Sequence, residues 1–262
     1  PKKVYGHGWL LIGGDKLSKS KQDKDKTELT DPKEFVARYG SDALRYYLLR
    51  EIPFGSDGAY SNEAFLLRIN GDLSNDLGNL VSRTTAMINQ YFNGVLPAAG
   101  EKAAVDDELI AIANGVFGSV EKAVEEINVP KALSEIFRLV GRANKYIDET
   151  TPWILAKDES KKSRLATVLY NLSECVRIAA VNLLPFIPKA PVKILSCYGI
   201  NAADIKDIDT ASRFGELKEG TKVEKSQPIF PRIDIKKELK AIEEMMVERH
   251  KEAEKQKRKE EK

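Results

Sequence analysis

SNEAFLLRINGDLSNDLGNLVSRTTAMINQYFNG, residues 61–94, decides the fold. Ser61-Asn62-Glu63 opens a helix, because serine caps free N–H groups at a helix start. Ile69, Leu73, Leu77, Leu80, Thr84, Ile88 and Tyr91 then recur every three or four residues, the period of an amphipathic helix. Gly94, Pro97 and Gly100 end it. Such a stripe must be buried against others, and the sequence downstream supplies them. Leu109, Ile112, Val116, Val120 and Val124 form a second stripe; Pro130 opens a third with Leu133, Ile136, Phe137, Val140 and Ile147. After a break at Thr150-Thr151-Pro152 and a short apolar turn comes a fourth, with Leu165, Val168, Leu172, Val176 and Leu183. Pro185, Pro188 and Pro191 punctuate a last segment reaching Tyr198. The spacing predicts a mainly α protein, a bundle of about five long elements.

Two polar features stand out on this frame. Asn79 and Arg83 are four apart and share a helix face, opposite Leu77, Val81, Thr84 and Ile88. An outward Asn/Arg pair is either a solvated polar face or a bidentate donor set for base edges or phosphate. Trp153 follows Pro152 at the helix break, so it is either core or a rigidly presented ring on which an unstacked base could lie.

Upstream, Val4 to Ile12 reads as a short strand with glycine breaks, and Gly13-Gly14-Asp15 turns into a loop rich in Lys, Asp and Ser that ends near Thr30. Asp31-Pro32 starts a helix that runs to Tyr39; Gly40-Ser41 ends it and caps the next, carrying Ala43 to Leu49. Pro53, Gly55 and Gly58 mark a loop. Residues 200–234 are irregular. From Asp234 a final helix carries Ile235, Leu239, Ile242 and Met246 before the seam gives way to charge. From Lys236 on, ten Lys/Arg face eight Glu, so the tail reads as a solvated helix end or linker rather than a nucleic-acid arm.

Composition sets bounds. With 42% apolar and 31% charged residues the chain can bury a core while keeping solvated faces, and a net charge of +2 makes any basic footprint local. Cys175 and Cys197 lie far apart in apolar surroundings with no CxxC pair, and the only histidines are His7 and His250. They read as small core residues, without a metal site or disulfide framework, and fit a reducing cytoplasm. No run of about 18 apolar residues exists, so no helix is expected to span a membrane. The chain opens without methionine and in mid-pattern, as a fragment or excised domain would.

Lys16-Leu17-Ser18-Lys19-Ser20 carries the sharpest chemistry. Two lysines flank a serine at the end of a strand, offering movable positive charge and hydroxyl donors. That suits a nucleoside triphosphate whose charge builds on a leaving pyrophosphate. On composition alone the segment also reads as a lysine-rich surface loop, since Asp15–Glu28 holds five lysines and four acids.

The wider run resembles class I aminoacyl-tRNA synthetases, whose KMSKS signature is here KLSKS. HGW before the loop and DPKEFVARYGSDALRYYLLREIPFGSDG after it are similar to the methionyl-tRNA synthetase family in particular. The likeness continues through DLSNDLGNLVSRTTAMINQYFNG and TPWILAKD and returns in QPIFPRID. It departs at Leu17, where methionine is usual, and at KQDKDKTELT, longer and more charged than the family's stretch before DP.

The resemblance implies residues 1–60 as the end of a catalytic domain with the ATP-binding loop Lys16–Ser20 and stem-contact helices. It implies 61–200 as an anticodon-binding helical bundle, 201–234 as a connector, and 235–262 as a charged helix or linker. Lys19 would contact ATP and stabilise the transition state, assisted by Lys16, with Ser18 and Ser20 shaping the loop of which Leu17 is also part. Asn79, Arg83, Pro152 and Trp153 would contact the anticodon. The implied activity is ATP-dependent ligation of methionine to tRNA(Met), with Mg2+ accompanying ATP. Methionine and ATP would engage through an N-terminal catalytic half, and there is room for a tRNA-binding or dimerisation domain beyond Lys262. The alternatives are a tRNA-binding module or adaptor without catalysis, or a class I synthetase for another amino acid.

Overall fold

The structure, a computed structural model, describes residues 4–6, 8–12, 15–16, 31–205 and 207–260. The chain forms two compact units, one from residues 1–70 with 232–262 and one from 71–231.

In the first unit, β1 (Leu10–Ile12) lies between β2 (Asp15–Lys16), antiparallel to it, and β3 (Gly58–Tyr60), parallel to it. The strand is shorter than the expected Val4–Ile12. At its entry the Trp9 N–H donates to the Asp57 carboxylate (2.7 Å) instead of a ladder. Gly8 lies so close to Ser56 that a Cβ would collide with its carbonyl.

Helix α1 (Pro32–Tyr39) starts as the Asp31-Pro32 pair predicts, with the Asp31 carboxylate accepting from the Lys33 N–H (2.8 Å). Gly40, at φ +82°, ends it and stands as the N-cap of α2 (Ser41–Glu51), which makes no side-chain cap; the expected capping serine is already inside the helix. Ser61 caps α3 (Asn62–Arg68) by accepting from the Ala64 N–H (3.1 Å). Phe35, Tyr47, Tyr60 and Phe65 pack edge to face with centroids 4.9–5.8 Å apart, the favoured aromatic geometry.

The C-terminal helix α10 (Ile235–Glu260) belongs to this unit. The Asn70 amide grips the backbone of Ile233 both ways, donating to its carbonyl (2.7 Å) and accepting from its N–H (2.9 Å). Glu238 accepts from the Arg38 guanidinium (2.9 Å) and the Tyr39 hydroxyl (2.6 Å), and Ile242 is buried.

The chain enters the second unit inside a π-helix, Ile69–Gly78, and continues as α4 (Asn79–Phe92). The single helix expected over residues 62–92 therefore has three parts. A spacing of three or four residues does not separate i→i+4 from i→i+5 bonding, and Gly71, Gly78, Asn70, Asn75 and Asp72 are weak α formers. Leu73, Leu77, Leu80 and Ile88 are buried as the stripe predicts. There follow α5 (Ala104–Glu125), α6 (Val129–Thr150, opened by an Asn128 cap and Pro130), α7 (Pro152–Leu155), α8 (Lys162–Leu183) and α9 (Lys189–Ser196).

Helix α8 is buried on every side, not only along its stripe: of Arg164–Leu183 all but Tyr170 are buried. Its charges are matched accordingly. Arg164 donates to both Asp106 oxygens (2.6 and 2.7 Å), and the Tyr146 hydroxyl donates to the same carboxylate (2.6 Å). Arg177 pairs with Glu174 (2.7 Å) and donates to the Thr210 and Arg213 carbonyls, while Glu174 accepts from the Leu217 N–H. Cys175 and Cys197 are buried free thiols, as their apolar surroundings predict.

Asp106→Ala strands Arg164 in the interior, and breaking a buried pair from one side costs about 3–5 kcal/mol; urea unfolding of variant and parent measures it. Burial pushes the Asp106 carboxyl up, but donation from Arg164, Tyr146 and the Ala103 N–H outweighs it and holds the pKa below the ordinary value. Stability from this group is therefore complete above the ordinary carboxylate range and is lost as pH falls through the lowered pKa. Asp106→Asn should flatten that acid limb of the stability curve.

Candidate nucleic-acid interface

Asn79 is the first residue of α4 and is exposed; Arg83, one turn on, is half-buried. Leu77, Val81, Thr84 and Ile88 on the other side are buried, so the pair faces outward as the helical spacing requires. Helix α6 runs beside this face. The Arg83 guanidinium is 3.4 Å from the Asp148 carboxylate, and the Asn144 amide donates to the Asp76 carbonyl (3.1 Å). Asn144 and Asp148 are four apart, so one face of α6 meets both the end of the π-helix, at Asp76, and the first turns of α4, at Arg83.

The end of α6 then delivers the aromatic ring. Thr151 adopts the left-handed conformation (φ 41°, ψ 61°), and its N–H still closes on the Ile147 carbonyl (3.0 Å). Pro152 takes the first position of α7, where a missing N–H costs nothing. Pro152 is buried while Trp153 is 40% exposed, so the tryptophan is not part of the core. Its ring lies under Arg83, whose guanidinium carbon is 5.8 Å from the ring centroid, within cation–π range. Four groups from two separate stretches thus meet at one end of the bundle: an outward amide and a guanidinium from α4, and a presented aromatic face and the proline that holds it from α7. Hydrogen-bond donors beside an open ring suit an unstacked base.

Asp148 and Asn144 carry no signal in the sequence; only the packing of α6 against the π-helix and α4 reveals them. Of the KLSKS motif, Lys16 lies in β2 with its backbone opposite Leu11; Leu17, Ser18, Lys19 and Ser20 lie outside the described residues. Among the described residues no cluster of three or more His, Cys, Asp or Glu could hold a metal ion, and no helix is long and apolar enough to cross a membrane.

Comparison with known proteins gives the family of the chain. Residues 96–248 match the family model of the anticodon binding domain of methionyl tRNA ligase, and residues 1–85 match that of class I (M) tRNA synthetases. The chain belongs to the methionyl-tRNA ligase family. It is 51% identical over 259 residues to the methionine–tRNA ligase of Caldanaerobacter subterraneus subsp. tengcongensis, covering 98% of this chain and 39% of that protein. To the Bacillus subtilis methionine–tRNA ligase it is 47% identical over 92% of this chain and 36% of the relative. Its fold is similar to that of Mycobacterium tuberculosis methionyl-tRNA synthetase in complex with methionyl-adenylate (TM-score 0.81, 37% identity, 88% of this chain and 44% of that one). The chain spans about two fifths of the length of these relatives. Its mainly helical architecture is that of the methionyl-tRNA ligase family.

A β-branched residue in the left-handed region costs about 1–2 kcal/mol, and asparagine tolerates it better. Thr151→Asn should therefore raise the stability of the chain by roughly 0.5–1 kcal/mol, read as a higher thermal midpoint.

Proposed function

We propose that this chain is the C-terminal part of a cytoplasmic methionine–tRNA ligase and that it contributes to both ends of the reaction. In the whole protein the methionine carboxylate attacks the α-phosphorus of ATP and displaces pyrophosphate, leaving methionyl-adenylate; a terminal hydroxyl of tRNA(Met) then takes the methionyl group and AMP leaves. Lys19 of the KLSKS loop contacts the triphosphate where charge builds on the leaving group, with Lys16 assisting and Ser18 and Ser20 shaping the loop of which Leu17 is also part. Mg2+ travels with ATP, held mainly by phosphate and water oxygens, as this ion prefers. The second contribution is recognition of the CAU anticodon by Asn79, Arg83, Pro152 and Trp153.

The observation that carries the proposal is the meeting of Asn79, Arg83 and Trp153 at one end of a bundle in a family defined by its anticodon-binding domain. Asn79 and Arg83 supply donors to base edges and phosphate. Trp153 supplies a stacking face whose orientation is set by buried Pro152.

Binding of the chain to an anticodon stem-loop bearing CAU, against loops with one anticodon base changed, tests it. The chain should prefer CAU. Trp153→Ala should weaken CAU binding by about 1–3 kcal/mol, the worth of one base stacked on an aromatic ring, and leave the thermal midpoint near the parent's. Equal binding to all loops, falling steeply with salt, would reduce the surface to nonspecific phosphate contact. Absence of binding would favour an adaptor, or an assembly that needs its catalytic half.

A further inference from the structure

The face of α6 that meets α4 carries a polar group which anticodon recognition by Asn79, Arg83, Pro152 and Trp153 leaves unused. Asn144 is half-buried beside the start of α4 and donates one amide hydrogen to the Asp76 carbonyl (3.1 Å). That carbonyl is the third before Asn79 and points along the helix toward the turn Asn79 occupies, because helical carbonyls face the C-terminal end. The bond fixes which way the amide faces: with Nδ2 against Asp76, the oxygen turns away from the helix backbone. Among the described residues the Asn144 Oδ1 has no hydrogen-bond partner, and it is not among the enclosed polar atoms. It is thus an oriented acceptor left open to solvent on the face of α6 beside the end of the π-helix.

One turn along the same α6 face, Asp148 engages Arg83, whose guanidinium lies over Trp153. The open acceptor therefore lies on the line of groups already assigned to RNA. Those groups are donors or a ring face, apart from Asn79, which is both donor and acceptor. What they lack is an acceptor held in one orientation. Bases differ in whether they offer a donor on the edge they present: the amino groups of cytosine and adenine and the imino group of uracil offer one, and a base with a carbonyl or ring nitrogen there does not.

Resting on the anticodon-binding reading, we propose that Asn144 is a specificity-determining residue of this surface. Its Oδ1, oriented by the Nδ2 bond to the Asp76 carbonyl, accepts a hydrogen bond from an amino or imino group of one anticodon base. A base that places an acceptor there meets an unpaired oxygen and is rejected.

The experiment measures the affinities of the parent chain and of Asn144→Ala for stem-loops bearing CAU and each of its single-base changes. Asn144→Ala should lower affinity for CAU by on the order of tenfold, within the range of one lost base-edge contact. It should leave affinity for loops changed at one anticodon position unaltered, so that discrimination collapses at that position and persists at the other two. Thermal midpoints near the parent's show that the fold is kept, as expected for a half-buried surface amide. Asn144→Asp is the second variant: it keeps an acceptor but cannot donate to the Asp76 carbonyl, so it should also lose discrimination at that same position. A uniform loss across all loops, or a preference for CAU that survives Asn144→Ala at every position, overturns the proposal while leaving the anticodon reading intact. Failure of the parent itself to prefer CAU removes the anticodon reading and this proposal with it.

Discussion

The second unit is organised by the burial of α8. A helix enclosed on every side exposes no face on which a charge can be solvated, and an unpaired charge there costs several kcal/mol. Arg164, Glu174 and Arg177 all lie on it, so each needs a fixed partner, and the partners dictate where neighbouring chain must run. Asp106 at the start of α5 and Tyr146 on α6 are brought to Arg164. The irregular segment after α9 is brought to Glu174 and Arg177 through the carbonyls of Thr210 and Arg213 and the N–H of Leu217. A stretch of loop and short 3-10 turns, Thr210 lying in the one at Ile208–Ser212, thus becomes a fixed strap. The same Tyr146 ties the core to the interface: it sits on the helix whose outer face carries Asn144 and Asp148 and whose end presents Trp153.

That end shows how a rigid core produces an exposed ring. The helix must stop abruptly for the tryptophan to point outward, and three successive residues accomplish it. Thr151 turns left-handed while keeping its N–H bonded to Ile147, Pro152 blocks continuation of the helix and buries itself, and Trp153 is left facing solvent. The strain at Thr151 is tolerated because both neighbours are held, one by the last turn of α6 and the other by burial. Strain of this kind tends to sit where a side chain must be aimed.

Much of this was legible in the sequence, and the exceptions have physical causes. Asp31, Ser61 and Pro130 mark helix starts because capping chemistry is local, and the stripes of α4, α5, α6 and α8 mark core faces because burial follows helical period, except at Val124, which is exposed at the end of α5. The family likeness was legible because it runs through several long segments. The π-helix was not, since its apolar spacing also suits an α-helix. Nor was the all-round burial of α8, because the partners that let Arg164, Glu174 and Arg177 be buried lie between 3 and 58 positions away. At the interface, Asn79 and Arg83 could be placed outward by counting residues, whereas exposure of Trp153 could not, because a tryptophan after a break suits core and surface equally. Asn144 and Asp148 needed the contact between two helices.

The state of Arg83 bears on how such a surface is used. Its guanidinium is shared between Asp148 at 3.4 Å and the Trp153 ring at 5.8 Å, with side-chain exposures of 39% for Arg83 and 70% for Asp148. An ion pair that exposed is worth only about 0–1 kcal/mol. It is enough to keep a long, flexible side chain near its working position, and little enough to be given up when a phosphate or base edge replaces the carboxylate. The buried pairs on α8 are the opposite case, with partners that cannot be exchanged without exposing the core. The contrast separates the bundle into a fixed interior and a surface whose polar groups are held in place loosely, and on the proposed reading that is the division RNA recognition requires: Pro152 and the end of α6 fix the ring, while Arg83 remains free to change partners.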